Sequence, residues 1–182
     1  MQISLTGDSA GGHLAVSIIS HILHPLANVT PVLPLSSPLA SAILISPWIS
    51  FSTTSKSYSA FEGVDMVSNT YIGSWAELAI GKGIAKQEAA AGRYHAEALR
   101  APPEWWSGLG SVAASLTITA GAVELYVDDI EEFGRAVKEG AMGSARVDVY
   151  VEEGGIHDGP VFDVFFKKSS KKLVEFLGEG FK

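Results

Sequence analysis

The sequence predicts an α/β domain, a parallel sheet flanked by helices. Two observations carry this reading. Short apolar or alternating runs of strand length recur along the chain, and between them lie runs with apolar residues at helical spacing. The order is strand, helix, strand, a long excursion, strand, helix, strand, helix, and that alternation implies parallel strands joined by crossover helices.

The first strand is read at Gln2 to Thr6 (QISLT), which alternates polar and apolar residues. In AGGHLAVSIISHILHP, Leu14, Ile18, Ile19, Ile22 and Leu23 recur at helical spacing until Pro25 stops the pattern. A proline- and serine-rich loop follows from Pro31 to Pro38. SAILIS (41–46) is a continuous apolar run ended by Pro47, as suits a parallel strand buried on both faces. Residues 48–110 hold all four tryptophans, several glycines and at least one alanine-rich helical stretch around Trp75 to Leu99. They read as one excursion between core strands, the place for a substrate-shaping lid. SLTITA (115–120) is the next strand. A helix over Asp128 to Glu139 puts Ile130, Phe133 and Val137 on one face. RVDVYV (146–151) alternates as a strand, and a final helix over about 163–178 presents Phe165, Phe166, Leu173, Val174 and Leu177. No internal repeat or low-complexity tract interrupts this order.

Composition narrows the function classes. A chain of 182 residues fits one domain over 1–182, with the lid-like excursion inside it at about 48–110. The net charge of −7 and the absence of a basic stripe exclude nucleic acid as the main partner. Lys167, Lys168, Lys171, Lys172 and Lys182 read as a solvated helix face. Without cysteine there is no disulfide or thiolate chemistry. No apolar run reaches transmembrane length and no signal peptide opens the chain, so the expected location is cytoplasmic. Without an export signal, the sequon Asn28-Val29-Thr30 is read as a coincidence.

The chemistry concentrates at Gly7-Asp8-Ser9-Ala10-Gly11. A serine flanked by small residues between a strand and a helix sits on a sharp turn. Its hydroxyl is pushed out at the sheet end, and the next N–H, of Ala10, points at a developing oxyanion. Such a serine needs an acid and a histidine, following it in that order. Functional residues of an open parallel sheet lie beyond the strands' C-terminal ends. After SLTITA come Glu124, Asp128 and Asp129; after RVDVYV comes the loop containing His157 and Asp158. Each loop would deliver its residues to the edge that bears Ser9. Glu124 is favoured as the acid because it is nearer the strand end, and Asp128 stays open as the alternative or as a helix cap. Asp8 is expected to hold the turn through hydrogen bonds. Among the other histidines, His13 is expected near the elbow, His21 and His24 on the surface, and His95 in a structural role. No histidine pair has metal-ligand spacing and context, so no metal or cofactor is expected. Phosphate binding at the elbow helix is a minor alternative, since no Walker lysine accompanies the glycines.

Together these stretches resemble the hormone-sensitive-lipase-like branch of the α/β-hydrolase superfamily. GDSAGGHLA (7–15) is similar to that family's elbow, SPWIS (46–50) to the segment after its sixth strand, TAGAVELYVDDI (119–130) to its acid loop and GGIHDGPVF (154–162) to its histidine loop. The resemblance covers essentially the whole chain. It implies a Ser9, Glu124, His157 triad, Ala10 N–H as an oxyanion-hole donor and cofactor-free hydrolysis of small-molecule carboxylic esters. The acid loop departs by having Glu124-Leu125 where the family often has Asp followed by Pro-Leu. The family's upstream His-Gly-Gly motif does not occur in this sequence. The chain therefore resembles the C-terminal half of such a fold, begun at its fifth strand.

Two functions follow as expectations. The first is a serine carboxylesterase working through an acyl-enzyme; the second is a catalytically silent relative that binds a ligand or partner through the same pocket. Residues 2–6 would form an edge strand, open to a second copy or to a complementing N-terminal half.

Overall fold

The computed structural model describes residues 2–26, 34–81, 83–166 and 171–180. Four parallel strands, β1 (Ser4–Asp8), β2 (Ser41–Ile45), β3 (Ser115–Gly121) and β4 (Arg146–Glu152), lie side by side in sequence order. The predicted α/β sheet is thus observed. Its inner strands explain the apolar runs: β3 is buried at all seven positions and β2 at its first four, because helices cover both of their faces.

Helix α1 (Ser9–Leu23) and helix α5 (Val127–Ala141) contribute Ala15, Val16, Ile19, Ile130, Phe133 and Val137 to the core formed with Ala42, Leu44, Leu116 and Ile118. The other face is covered by α7 (Lys171–Gly180). There a Cβ on Gly180 would lie 2.7 Å from Thr117 Oγ1, and Phe176 sits 5.1 Å from Tyr150, ring to ring. Between β2 and β3 run α2 (Lys56–Ala60), α3 (Asn69–Ile80), α4 (Ile84–Ala90) and three single turns. α6 (Gly159–Phe166) follows the loop after β4.

The parallel register pairs Asp8 with Ile45, Ile45 with Thr119, and Thr119 with Tyr150. All four strands therefore finish at one edge, and the four loops leaving them converge there. That edge carries the candidate site.

Several sequence expectations are corrected. The first strand is Ser4–Asp8, not Gln2 to Thr6, because β1 takes its limits from pairing with β2, Ser4 to Ser41 through Asp8 to Ile45. Gly7 and Asp8 thus belong to the strand, and Ser9 alone makes the turn. Leu14 and Ile18 are exposed; α1 turns the small Gly12 and Ala15, with Val16, Ile19 and Ser20, inward. Close approach requires this, since a Cβ on Gly12 would lie 2.7 Å from Pro47 Cβ. The alanine-rich stretch around Trp75 to Leu99 is helical in α3 and α4, as expected, and Gly81, Gly83 and Gly92, with φ of 77°, 76° and 72°, set where those helices stop and start. Of the final helix, the described residues are helical over Gly159–Phe166 and Lys171–Gly180, so it starts earlier than predicted, and Phe166 and Val174 face solvent while Leu173 is buried. The sequon at 28–30, the start of the proline-rich loop and Lys167, Lys168 and Lys182 lie outside the described residues. Among those described, no helix is long and apolar enough to cross a membrane. As expected of an edge strand, β1 has no partner on its outer side among the described residues.

Candidate active site

Ser9 joins β1 directly to α1 with φ of 48°, the left-handed region that a non-glycine side chain rarely adopts. The surroundings hold it there. A Cβ on Gly7 would lie 2.3 Å from Gly11 O, so the strand can pass under the helix only as glycine. Trp48 N–H donates to Ser9 O at 3.0 Å, and His13 Nδ1 lies 2.9 Å from Trp48 O. Burial pulls the His13 pKa below the ordinary histidine value despite that backbone contact, which marks it as a neutral brace. Asp8 occupies the N-cap of α1 but makes no side-chain capping bond, so its expected role in holding the turn is not observed.

The loops after β3 and β4 interlock. Ala122 N–H donates to Glu152 O and Val123 N–H to Gly155 O, each at 2.9 Å. Gly121 makes this contact feasible, because a Cβ there would lie 2.3 Å from Gly155 O. Glu124, fully buried, receives Gly121 N–H at 2.9 Å and the Ser46 hydroxyl at 2.7 Å, both on Oε2. Its Oε1 lies 3.9 Å from His157 Nδ1. His157 Nε2 lies 2.9 Å from Ser9 Oγ. The structure thus brings Ser9, His157 and Glu124 together in a row.

Asp128, the alternative acid, is directed elsewhere: its Oδ2 accepts Ser57 N–H at 2.9 Å, at the start of α2. Asp129 is bound by the Ser55 and Tyr58 hydroxyls, and burial pushes its pKa up to about 6 in spite of them. Tyr58 shifts further upward, first by burial and then by the Asp129 charge. His21 and His24, expected on the surface, are half-buried: His24 stacks on Trp105 with centroids 3.7 Å apart, and His21 Nδ1 accepts Leu26 N–H at 3.2 Å. His95 Nε2 lies 2.8 Å from His24 O, in keeping with a structural role.

Three groups at the site had little or no signal in the sequence. Ser46, with φ of 43°, donates to Glu124 and accepts Asp158 N–H at 3.1 Å. Its only signal is its position at the end of a predicted strand. Asp158 adjoins the histidine in sequence, and its Oδ2 lies 3.3 Å from His157 Nε2. Asp65 comes from the irregular excursion, where nothing in the sequence marks it. Burial alone would lower the His157 pKa. The Glu124 carboxylate facing Nδ1, with the Asp158 and Asp65 charges, outweighs that, holding it above the ordinary value. Burial raises Asp158 to about 6, although the nearby imidazole pulls the other way.

Beside Ser9 opens an apolar cleft of about 390 Å³ bounded by Ala10, Trp48, Val67, Trp75, Leu78 and Tyr126. A second hollow of about 340 Å³ shares Ala10 and Trp48 and extends toward Phe51 and His95. Both are of small-molecule size. Among the described residues there is no group of three or more histidine or carboxylate side chains arranged to hold a metal ion.

Residues 1–172 match the family model described as steryl acetyl hydrolase. No curated protein matches the chain. Solved structures do. An esterase of the bacterial hormone-sensitive lipase family superposes with a TM-score of 0.70 at 22% identity, over 99% of this chain and 54% of the other. Carboxyl esterase 2 of the mycorrhizal fungus Tuber melanosporum gives 0.69 at 21% identity, over 98% and 52%. An esterase/lipase from an uncultured bacterium gives 0.66 at 23% identity, over 97% and 50%. The chain spans about half the length of these structures, and at such identities they share its fold.

Proposed function

The chain belongs to the steryl acetyl hydrolase family, and from that membership and the site geometry we propose that it hydrolyses carboxylic esters through a Ser9, His157, Glu124 triad. The observation that carries the proposal is the 2.9 Å contact between Ser9 Oγ and His157 Nε2, with the Glu124 carboxylate beyond the ring.

His157 Nε2 takes the Ser9 proton as Oγ attacks the ester carbonyl carbon. The tetrahedral oxyanion meets Ala10 N–H, and the carboxylate of Glu124 stabilises the imidazolium. His157 then protonates the departing alcohol, leaving the acyl group on Ser9. Water, deprotonated by the same nitrogen, attacks that ester; the acyl–Oγ bond breaks, the acid leaves and His157 returns the proton to Ser9 Oγ. The apolar cleft suits a hydrophobic ester, and the family description directs the choice to a steryl acetate, with the excursion at 48–110 serving as the lid.

The test is hydrolysis of p-nitrophenyl acetate and of a steryl acetate by the full chain and by Ser9→Ala, with organophosphonate labelling in parallel. Ester turnover and a covalent phosphonyl adduct that both vanish in Ser9→Ala support the reading; equal rates in the two proteins overturn it.

A second reading rests on β1. Its outer edge is unpaired among the described residues and Ile3 at its start is exposed, a template for another strand. In that reading a second copy or a complementing N-terminal half pairs with β1, and the pocket binds without turnover. A monomer by light scattering that reacts with the phosphonate excludes it.

A further inference from the structure

We infer that Asp65 is a positioning residue, one carboxylate that ties the acid loop to the base loop; this rests on the triad proposed above. Asp65 lies between α2 and α3, in no regular element. Its Oδ2 accepts Leu125 N–H at 2.9 Å, and its Oδ1 accepts His157 N–H at 3.0 Å. Oδ1 also accepts Met66 N–H at 2.7 Å. Leu125 is the residue after the acid, and His157 is the base. The backbone on both sides of the acid–base pair therefore hangs from the two oxygens of one planar group.

The carboxylate is itself anchored. Asp65 N–H donates to Phe61 O at 3.0 Å, and Val67, two residues on, is buried against the cleft. A second tie runs parallel to it, the Ser46 hydroxyl joining Glu124 Oε2 to Asp158 N–H. With Ser46 at the end of β2 and Asp65 in the excursion, the two loops are gripped from two elements. Together these ties set the spacing of Glu124 and His157, now 3.9 Å. The charge of Asp65 acts in the same direction as the geometry. It joins Glu124 and Asp158 in raising the His157 pKa, and the Ser9 hydroxyl and the edge-on Tyr126 ring also adjoin the imidazole. A carboxylate serving only local turn structure would bond within one loop. This one spans two.

The experiment is Asp65→Asn in the full chain, with Glu62→Gln as control. Glu62 lies three residues away and caps the start of α3 through Ser68 and Asn69, without reaching either loop. Asparagine keeps the shape but offers one acceptor oxygen, so one loop amide loses its partner and the charge is gone. Misplacement of catalytic groups by about 1 Å costs on the order of 10²-fold. The expected result is a kcat lower by about 10- to 100-fold with KM within about twofold. The His157 imidazole titration, followed by proton NMR, and the acid limb of kcat/KM both move to lower pH. Glu62→Gln is expected to change neither.

A kcat within twofold of the parent and an unmoved His157 titration overturn the inference. So does a variant whose melting temperature falls while kcat per folded molecule and titration stay put. Should Asp65→Asn fail to fold, Asp65→Glu retains charge and acceptors one methylene further out; full kcat in that variant also overturns it. If the parent shows no Ser9-dependent turnover, the triad reading fails by itself. The His157 titration and the amide shifts of Leu125 and His157 still decide whether Asp65 ties the loops.

Discussion

Glu124 Oε1 and His157 Nδ1 face each other at 3.9 Å, and neither atom has a hydrogen-bond partner among the described residues. Both side chains are almost fully buried, so neither atom is left to water. The pair is about 1 Å longer than a hydrogen bond, as catalytic contacts often are before substrate tightens them. Glu124→Gln is expected to lower kcat by about 10³–10⁴-fold, the scale seen when the orienting carboxylate of a triad becomes an amide. Asp128→Asn, whose carboxylate holds Ser57, is expected to leave kcat within a few-fold. Steady-state hydrolysis by the two variants checks this, and the opposite ranking would move the acid to Asp128.

Ser46 bridges Glu124 and Asp158, the residue after His157. Ser46→Ala removes the donor to Glu124 and strands Asp158 N–H, both buried. An orphaned buried polar group costs about 1–3 kcal/mol, so urea denaturation is expected to show a loss on that scale. A fall in kcat is expected beside it, because among the described residues Glu124 then keeps Gly121 N–H alone as a donor.

The pH dependence has a definite sign. In the proposed triad His157 is a base only when neutral, and its pKa is held above the ordinary value of 6.5. The acid limb of kcat/KM is therefore expected above pH 6.5. Asp158→Asn removes one of the charges that raise it and is expected to shift the limb downward. Stability follows the same sense. His157 and the two raised carboxylates, Asp129 and Asp158 at about 6, each bind protons more tightly folded than unfolded. The carboxylate contributions are full below pH 3.8 and lost as pH rises through about 6. That of His157 is full below 6.5 and lost at higher pH. Denaturation midpoints between pH 4.5 and 8 measure this, and Asp129→Asn is expected to flatten the lower part of the profile.

The elbow glycines are not equivalent. Gly7→Ala drives a Cβ into the Gly11 carbonyl and is expected to abolish both folding of the elbow and activity. Gly11→Ala meets nothing closer than Asp8 Oδ1 at 3.7 Å. It is expected to keep activity, with stability equal or higher by up to about 1 kcal/mol, since alanine is the better helix former. Thermal melts and ester hydrolysis of both variants test the contrast; an inactive Gly11→Ala would show that the turn needs more room than its contacts indicate.

Much of this arrangement is legible in the residues themselves. Apolar runs mark β2 and β3 because strands buried on both faces admit little else. The glycine-flanked Ser9 marks the elbow because a left-handed turn under a helix excludes larger neighbours. Glu124 and His157 stand out because parallel strands deliver the loops that follow them to one edge. Local pattern thus determines the sheet, its direction and the candidate triad.

Tertiary structure decides the rest. Exposed Leu14 and buried Gly12 contradict the apolar pattern of α1, since close approach to Pro47 selects for small side chains on the inner face. The helices of the excursion are cut where glycines turn left-handed, which alanine content does not reveal. Ser46 and Asp65 gain their roles only when residues 78 and 60 positions apart meet, Ser46 with Glu124 and Asp65 with Leu125. A hydroxyl or carboxylate reads the same in sequence whether it faces water or braces a base. Its partners are fixed by the packing of distant segments, and so are the spacing and charge around His157.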